Sequence, residues 1–314
     1  MSTPSSTAPD PSPLVAHSAA MAALVERVAA GTFAVRGRRG TLATACVWQA
    51  GLVVTAAHVF RRAPAAITLV GEGGAAVEAA LVGVDSSTDL ALFRLAVAEG
   101  AAQPAPATVG DAATVRAGHH VVAIGRSGEG DAIASGGMVN RAAGPWQTWL
   151  GGHLDRLIRL DGGVYEGLSG APVADASGAV IGIATSALSR SYGMVVPSST
   201  VSRVVAQLLA NGHVARPWLG IGAQPVPVTG AAASGATGLL ISSLAPKGPA
   251  ERAGLLIGDI VVRAAGEAAS DLRALRHALA AHVGSAATLS ILRGGSAQDL
   301  RVEVGEWPAE RRCC

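Results

Sequence analysis

From Thr32 onward this chain is a succession of short β-branched runs separated by Gly, Asp and Ser, and that punctuation limits the folds open to it. The runs are Phe33–Arg36, Thr44–Trp48, Leu52–Thr55, Ile67–Val70, Val77–Val84, Leu90–Leu95, Val121–Gly125, Val180–Ala184 and Gly193–Val196. β-Branched side chains are stiff and pack well on a pleated surface, while Gly, Asp and Ser supply the turns between strands. Many short strands at this interval argue for an all-β barrel or sandwich. Asp175-Ala176-Ser177-Gly178, between two apolar runs, reads as a hairpin turn.

Three segments have helical spacing instead. Met21–Val28 is Ala-rich and amphipathic, with Gly31 placed to end it, and Ser199–Leu209 is stopped by Asn211-Gly212. A third helix starts at the N-cap Ser270 and sets Leu272, Leu275 and Leu279 on one face. Gly294-Gly295 turns a closing hairpin between Leu289/Ile291 and Leu300/Val302/Val304. At 314 residues the chain is long enough for about two domains. The expected division is a disordered tail 1–20, a first domain 21–212, a connector 213–219, a second domain 220–308 and a tail 309–314.

Several function classes are excluded at this level. The 24 basic residues nearly cancel the 22 acidic ones, so charge makes no case for nucleic acid or an anionic membrane. No run approaches the ~18 consecutive apolar residues that would span a bilayer. The opening Met1-Ser2-Thr3-Pro4 has no basic segment leading into an apolar one, so the expected location is the cytoplasm. Cys46, Cys313 and Cys314 have neither metal-ligand spacing nor the makings of a disulfide framework. Cys46 reads as a small buried hydrophobe; Cys313-Cys314 reads as an exposed tail, with prenylation or intermolecular oxidation as alternatives. His119 and His120 are adjacent on a strand, so they face opposite ways and cannot hold one ion together. Gly125, Gly128 and Gly130 lack the following helix and ribose-binding acid of a dinucleotide loop. No metal and no cofactor is expected.

What remains is nucleophilic chemistry. A hydroxyl attacks a carbonyl at neutral pH only when an imidazole takes its proton and a carboxylate orients that imidazole. His58 follows the apolar run Leu52–Thr55 and two alanines, which lets its ring emerge from a rigid edge with little crowding. Asp89 precedes Leu90-Ala91-Leu92-Phe93, which would bury its carboxylate at the same edge, whereas Asp85 before Ser86-Ser87 suits a turn cap. Ser169 sits between Gly167 and Gly170, where the backbone can turn sharply and point the N–H groups of Gly167 and Ser169 at a developing oxyanion. A nucleophile-elbow esterase would run Ser, acid, His; this chain runs His, Asp, Ser.

These patches resemble the HtrA/DegP family of trypsin-like serine proteases with a C-terminal PDZ domain. The resemblance runs through Thr55-Ala56-Ala57-His58, Thr88-Asp89-Leu90-Ala91, Val121–Gly125, Gly167-Leu168-Ser169-Gly170-Ala171-Pro172, Val180–Ala184 and Val196-Pro197-Ser198. It continues through Gly212–Gly220, the family's bridge into the PDZ domain, then Gly238-Leu239-Leu240-Ile241, Pro249–Leu255 and Gly258-Asp259-Ile260. It implies a mainly β fold, with a trypsin-like double β-barrel protease domain followed by a PDZ domain. It also implies an endopeptidase acting on unfolded or damaged polypeptides, and assembly as a trimer. Gly163 and Val164 would form the substrate-pocket floor, which without an acid there favours small or branched aliphatic residues over basic ones. Gly238, Leu239, Leu240 and Ile241 would take the place of the loop that receives peptide C-termini. Leu168 departs from the small polar residue usual before the nucleophile, Ala171 from a glycine, and Ala43-Thr44-Ala45 from a glycine-rich segment. Leu168 alone favours a second reading, a catalytically quiet scaffold or chaperone on a protease fold.

Overall fold

The structure is a computed structural model that describes residues 12–37, 40–97, 103–228 and 237–307. It divides into two compact units, 1–214 and 215–314. The first opens with α1, Pro13–Ala29. This corrects the expectation of a disordered tail through residue 20: Pro13 occupies the first helical turn, where its missing N–H costs nothing, and an Ala-rich sequence propagates from it. The C-terminal end of α1 is tied down by Arg126, buried against the barrel, whose guanidinium donates to the carbonyls of Ala29, Thr32 and Gly130.

Six strands then close the first barrel: β1 Thr32–Gly37, β2 Gly40–Gln49, β3 Leu52–Ala56, β4 Ala66–Val70, β5 Ala76–Asp85 and β6 Leu90–Leu95. Val53, Leu69 and Phe93 fill it and are fully buried, each contributing roughly 1.5–3 kcal/mol of burial. Further along come β7 His120–Arg126 and β8 Ala132–Ala143, then the small hairpin β9 Trp146–Gln147 and β10 His153–Leu154. β11 Leu157–Leu160, β12 Pro172–Asp175, β13 Val180–Thr185 and β14 Met194–Pro197 follow. β7, β8 and β11–β14 close the second barrel around Ile158, Val173 and Val195. Its strand β8 is Gly- and Ala-rich, with one side exposed, so its composition carries little strand signal. α2, Ser198–Asn211, packs Val201, Val204, Val205 and Leu208 onto a core shared with both barrels and ends on Gly212 in the left-handed conformation.

The second unit contains β15 Pro217–Trp218, β16 Ile221–Pro227, β17 Thr237–Leu244, α3 Pro249–Arg252, β18 Ile260–Ala264 and β19 Glu267–Ala268. α4 Leu272–Leu279, β20 Ala286–Arg293, β21 Ser296–Glu303 and β22 Gly305–Glu306 complete it. The main sheet runs β16-β17-β18-β20-β21 around Leu239, Ile291 and Val302. The N-cap of α4 is Asp271, not Ser270: the Asp271 carboxylate accepts from the N–H groups of both Arg273 and Ala274. Gly294-Gly295 joins β20 to β21, with Arg293 opposite Ser296.

Candidate active site

Register brings the first two side chains together. β3 pairs antiparallel with β6, Ala56 lying opposite Leu90, so the residues just beyond, His58 and Asp89, leave the barrel side by side. Asp89 has a φ of 62°, a left-handed conformation that Asp tolerates better than most residues. The preceding turn is held by Asp85, whose buried carboxylate accepts from the Ser87 N–H and from the hydroxyls of Ser87 and Thr88. The buried Asp89 carboxylate accepts from the His58 backbone N–H through Oδ1 and from Nδ1 of the ring through Oδ2, both at 2.7 Å. Because an ionised carboxylate only accepts, Nδ1 carries the proton and Nε2 is left as the basic nitrogen.

The third residue comes from the second barrel. Ser169 precedes β12, and its loop is stitched to the first barrel by Thr44 on β2. The Thr44 N–H donates to the Ser169 carbonyl at 2.9 Å, and its hydroxyl donates to the Gly167 carbonyl at 2.8 Å. Gly170 makes this contact possible: at φ +86°, a Cβ there would lie 2.2 Å from the Thr44 carbonyl oxygen. Among the described residues, the N–H groups of Gly167 and Ser169 donate to no protein acceptor, which leaves both free for an oxyanion. Leu168 is 4 % exposed and packs inside the second barrel, where it anchors the loop.

Ser169 Oγ does not hydrogen-bond His58 directly. A third hydroxyl, that of Ser186, lies between them, 3.2 Å from Ser169 Oγ and 3.2 Å from His58 Nε2. Its neighbour Thr185, fully buried at the end of β13, donates its hydroxyl to Asp89 Oδ2. Neither Thr185 nor Ser186 was among the expected site residues. The one sequence signal was a Thr-Ser pair directly after the apolar run Val180–Ala184, where strand alternation sends one hydroxyl to each end of the imidazole.

Gly163 and Val164 line a small cavity of about 60 Å³ beside the nucleophile loop, together with Leu168, Val121 and Ala123. Asp161 also lines it, its Oδ1 accepting from the Met138 N–H, and the small volume suits a short side chain. The expected Gly238–Ile241 loop is corrected. Leu239 and Ile241 are buried, and β17 is paired on both edges, with β16 and with β18, so its backbone cannot receive a peptide. The open edge belongs to β16. A groove of about 300 Å³ runs between the start of that strand and α4, lined by Trp218, Gly220, Ile221, Leu275, Arg276 and Trp307. Among the described residues the N–H groups of Leu219 and Gly220, at the head of the groove, donate to no protein acceptor.

Cys46 is buried, which pushes its thiol up to about 12 and leaves it unreactive; Cys313 and Cys314 lie outside the described residues. Among the described residues no group of three or more His, Cys, Asp or Glu is placed to hold a metal, and no helix is long and apolar enough to cross a membrane.

Two six-stranded barrels with His, Asp and Ser meeting between them define a trypsin-like peptidase domain, here followed by a PDZ domain. Family models agree: the trypsin-like peptidase domain matches residues 43–183 and the PDZ domain residues 219–304. The chain is 35% identical over 275 residues to a probable periplasmic serine endoprotease DegP-like protein of Brucella suis, covering 83% of this chain and 52% of that one. It is 32% identical over 276 residues to the protein of the same description in Rhizobium meliloti, covering 85% and 53%. It therefore spans about half the length of these curated relatives. Among solved structures, the HtrA-type protease AlgW with a decapeptide superposes with a TM-score of 0.76 at 25% identity, covering 91% of this chain and 98% of that one. The chain thus joins a trypsin-like peptidase domain to a PDZ domain and over both is similar to HtrA/DegP-type serine proteases. Those relatives are named as periplasmic, and this overturns the cytoplasmic expectation.

Proposed function

We propose that this chain is a serine endopeptidase that hydrolyses unfolded or damaged polypeptides in the periplasm through an acyl-enzyme intermediate, with its PDZ domain engaging peptide ends. The observation that carries the reading is the Asp89–His58 pair facing Ser169, whose loop leaves two N–H groups free. In this scheme Ser169 Oγ attacks the scissile carbonyl, its proton passes to His58 Nε2, and Asp89 stabilises the imidazolium. The oxyanion rests on the N–H groups of Gly167 and Ser169, worth roughly 2.7–4 kcal/mol per donor. His58 then returns the proton to the leaving amine, and water repeats the sequence on the ester.

The pocket at Gly163 and Val164 supports cleavage after small or branched aliphatic residues. Peptide C-termini would lie along the open edge of β16 by strand addition, their carboxylate on the N–H groups of Leu219 and Gly220. The functional division we assign is protease 13–212, linker 213–216 and PDZ 217–307; trimeric assembly follows the family resemblance. Casein digestion by the wild-type chain and by Ser169→Ala, with a cleavage-site profile, tests the reading. Activity should vanish in the variant, and a profile dominated by Arg or Lys would refute the pocket assignment. A peptide with a free C-terminus should bind better than its amidated form, and equal binding would refute the groove.

A further inference from the structure

We propose that Ser186 is a positioning residue that holds the nucleophile and its base apart until substrate displaces it. The inference rests on the serine-peptidase reading above. With the Nδ1 proton committed to Asp89, His58 Nε2 can only accept, so the Ser186 hydroxyl donates to it and in turn accepts from Ser169. One proton on each hydroxyl satisfies this chain, and no hydrogen bond passes directly from Ser169 to the ring.

The flanking groups are fixed. His58 is held by Asp89 through both its ring and its backbone, and the Ser169 loop is held by Thr44 and by the Gly170 N–H on the Ala184 carbonyl. Ser186 is different. It is exposed while Ser169 is 8 % exposed, so its hydroxyl can turn out into solvent when substrate reaches Ser169. Its side chain needs only a change of χ1 rotamer to leave. Both contacts, at 3.2 Å, are long for hydroxyl hydrogen bonds, which suits a latch that opens easily better than a proton relay. Once Ser186 turns away, the Ser169 proton can pass straight to Nε2 as the new bond to substrate forms.

A small fluorophosphonate reads this step, since the Ser169 oxygen bonds to phosphorus, fluoride leaves and the proton goes to His58. Its second-order labelling rate would be measured on the full chain as wild type, Ser186→Ala and Ser186→Thr, with Ser169→Ala as the blank. Ser186→Ala should label about twofold to tenfold faster. Ser186→Thr, which restores the hydroxyl, should return the rate to that of the wild type. On a peptide substrate the gain should appear in kcat and not in KM. An unchanged or slower rate for Ser186→Ala, with the wild type labelled, overturns the latch and leaves the peptidase reading standing. No Ser169-dependent labelling in any variant overturns both.

Discussion

Asp89 holds His58 by two separate hydrogen bonds, one from the histidine's own backbone N–H and one from its ring, each 2.7 Å. A third comes from Thr185, on the other barrel. The carboxylate thus fixes the tautomer, the ring plane and the local backbone at once. Asp89→Asn, which can also offer a donor toward the ring, should lower kcat by about 10,000-fold while leaving the fold intact. Thr185→Val removes only one bond to a charged acceptor, worth about 1.5–3 kcal/mol, and should cost roughly 10- to 100-fold in kcat. Steady-state kinetics on a peptide ester checks both.

Two glycines close to the site should respond differently to an added methyl group. At Gly170 the left-handed φ and the close approach of Thr44 and Thr55 make Ala strained, and Gly170→Ala should lower the melting temperature of the first unit by about 5 °C or more. At Gly163 a Cβ meets nothing within 4 Å, and Gly163→Ala should shift stability by less than about 0.5 kcal/mol. Thermal melts of the two variants, with circular dichroism for secondary structure, test the contrast.

In the second unit, Arg293 donates to both carboxylate oxygens of Asp259 and to the Gly254 carbonyl. That hydrogen bonding holds the Asp259 carboxyl below its usual range. A carboxyl depressed in the folded state contributes stability above its unfolded pKa of about 3.9 and loses it as pH falls through the lower folded value. Hydrogen exchange over β18 and β20 should therefore show protection falling below about pH 4, more steeply in the wild type than in Asp259→Asn. Arg293→Gln should weaken the same region already at neutral pH, because Asp259 then stays buried without its cation.

Arg276 lies along the groove beside β16 and stacks over Trp307. Its charge complements a peptide carboxylate. Arg276→Glu should weaken binding of free C-terminal peptides by about twofold to fivefold, and the deficit should shrink in high salt. Fluorescence polarisation at two ionic strengths measures both effects.

The patches around the candidate site were legible because each carries its own local requirement: small residues before His58, a buried strand after Asp89, glycines around Ser169. Strand runs such as Leu90–Leu95 announced themselves by β-branched and apolar content, whereas Gly-rich β8 did not. The proposed peptide groove lies away from Gly238–Ile241 for a plain reason. Gly238-Leu239-Leu240-Ile241 and Trp218-Leu219-Gly220-Ile221 are both glycine beside apolar residues, and only the pairing of β17 on both edges against β16 on one separates them. Thr185 and Ser186 went unseen because a hydroxyl pair after a strand has no meaning until the opposing barrel is in place. The helical start at Pro13 was obscured by the Ser- and Pro-rich stretch before it.

Thr44 belongs to one barrel, the loop it grips belongs to the other, and the centre exists only where the halves clasp. During synthesis, the first half emerges with a histidine and an aspartate but no nucleophile, and remains harmless to its own maker. Closure of the second barrel against the first is the step that brings Ser169 beside the pair.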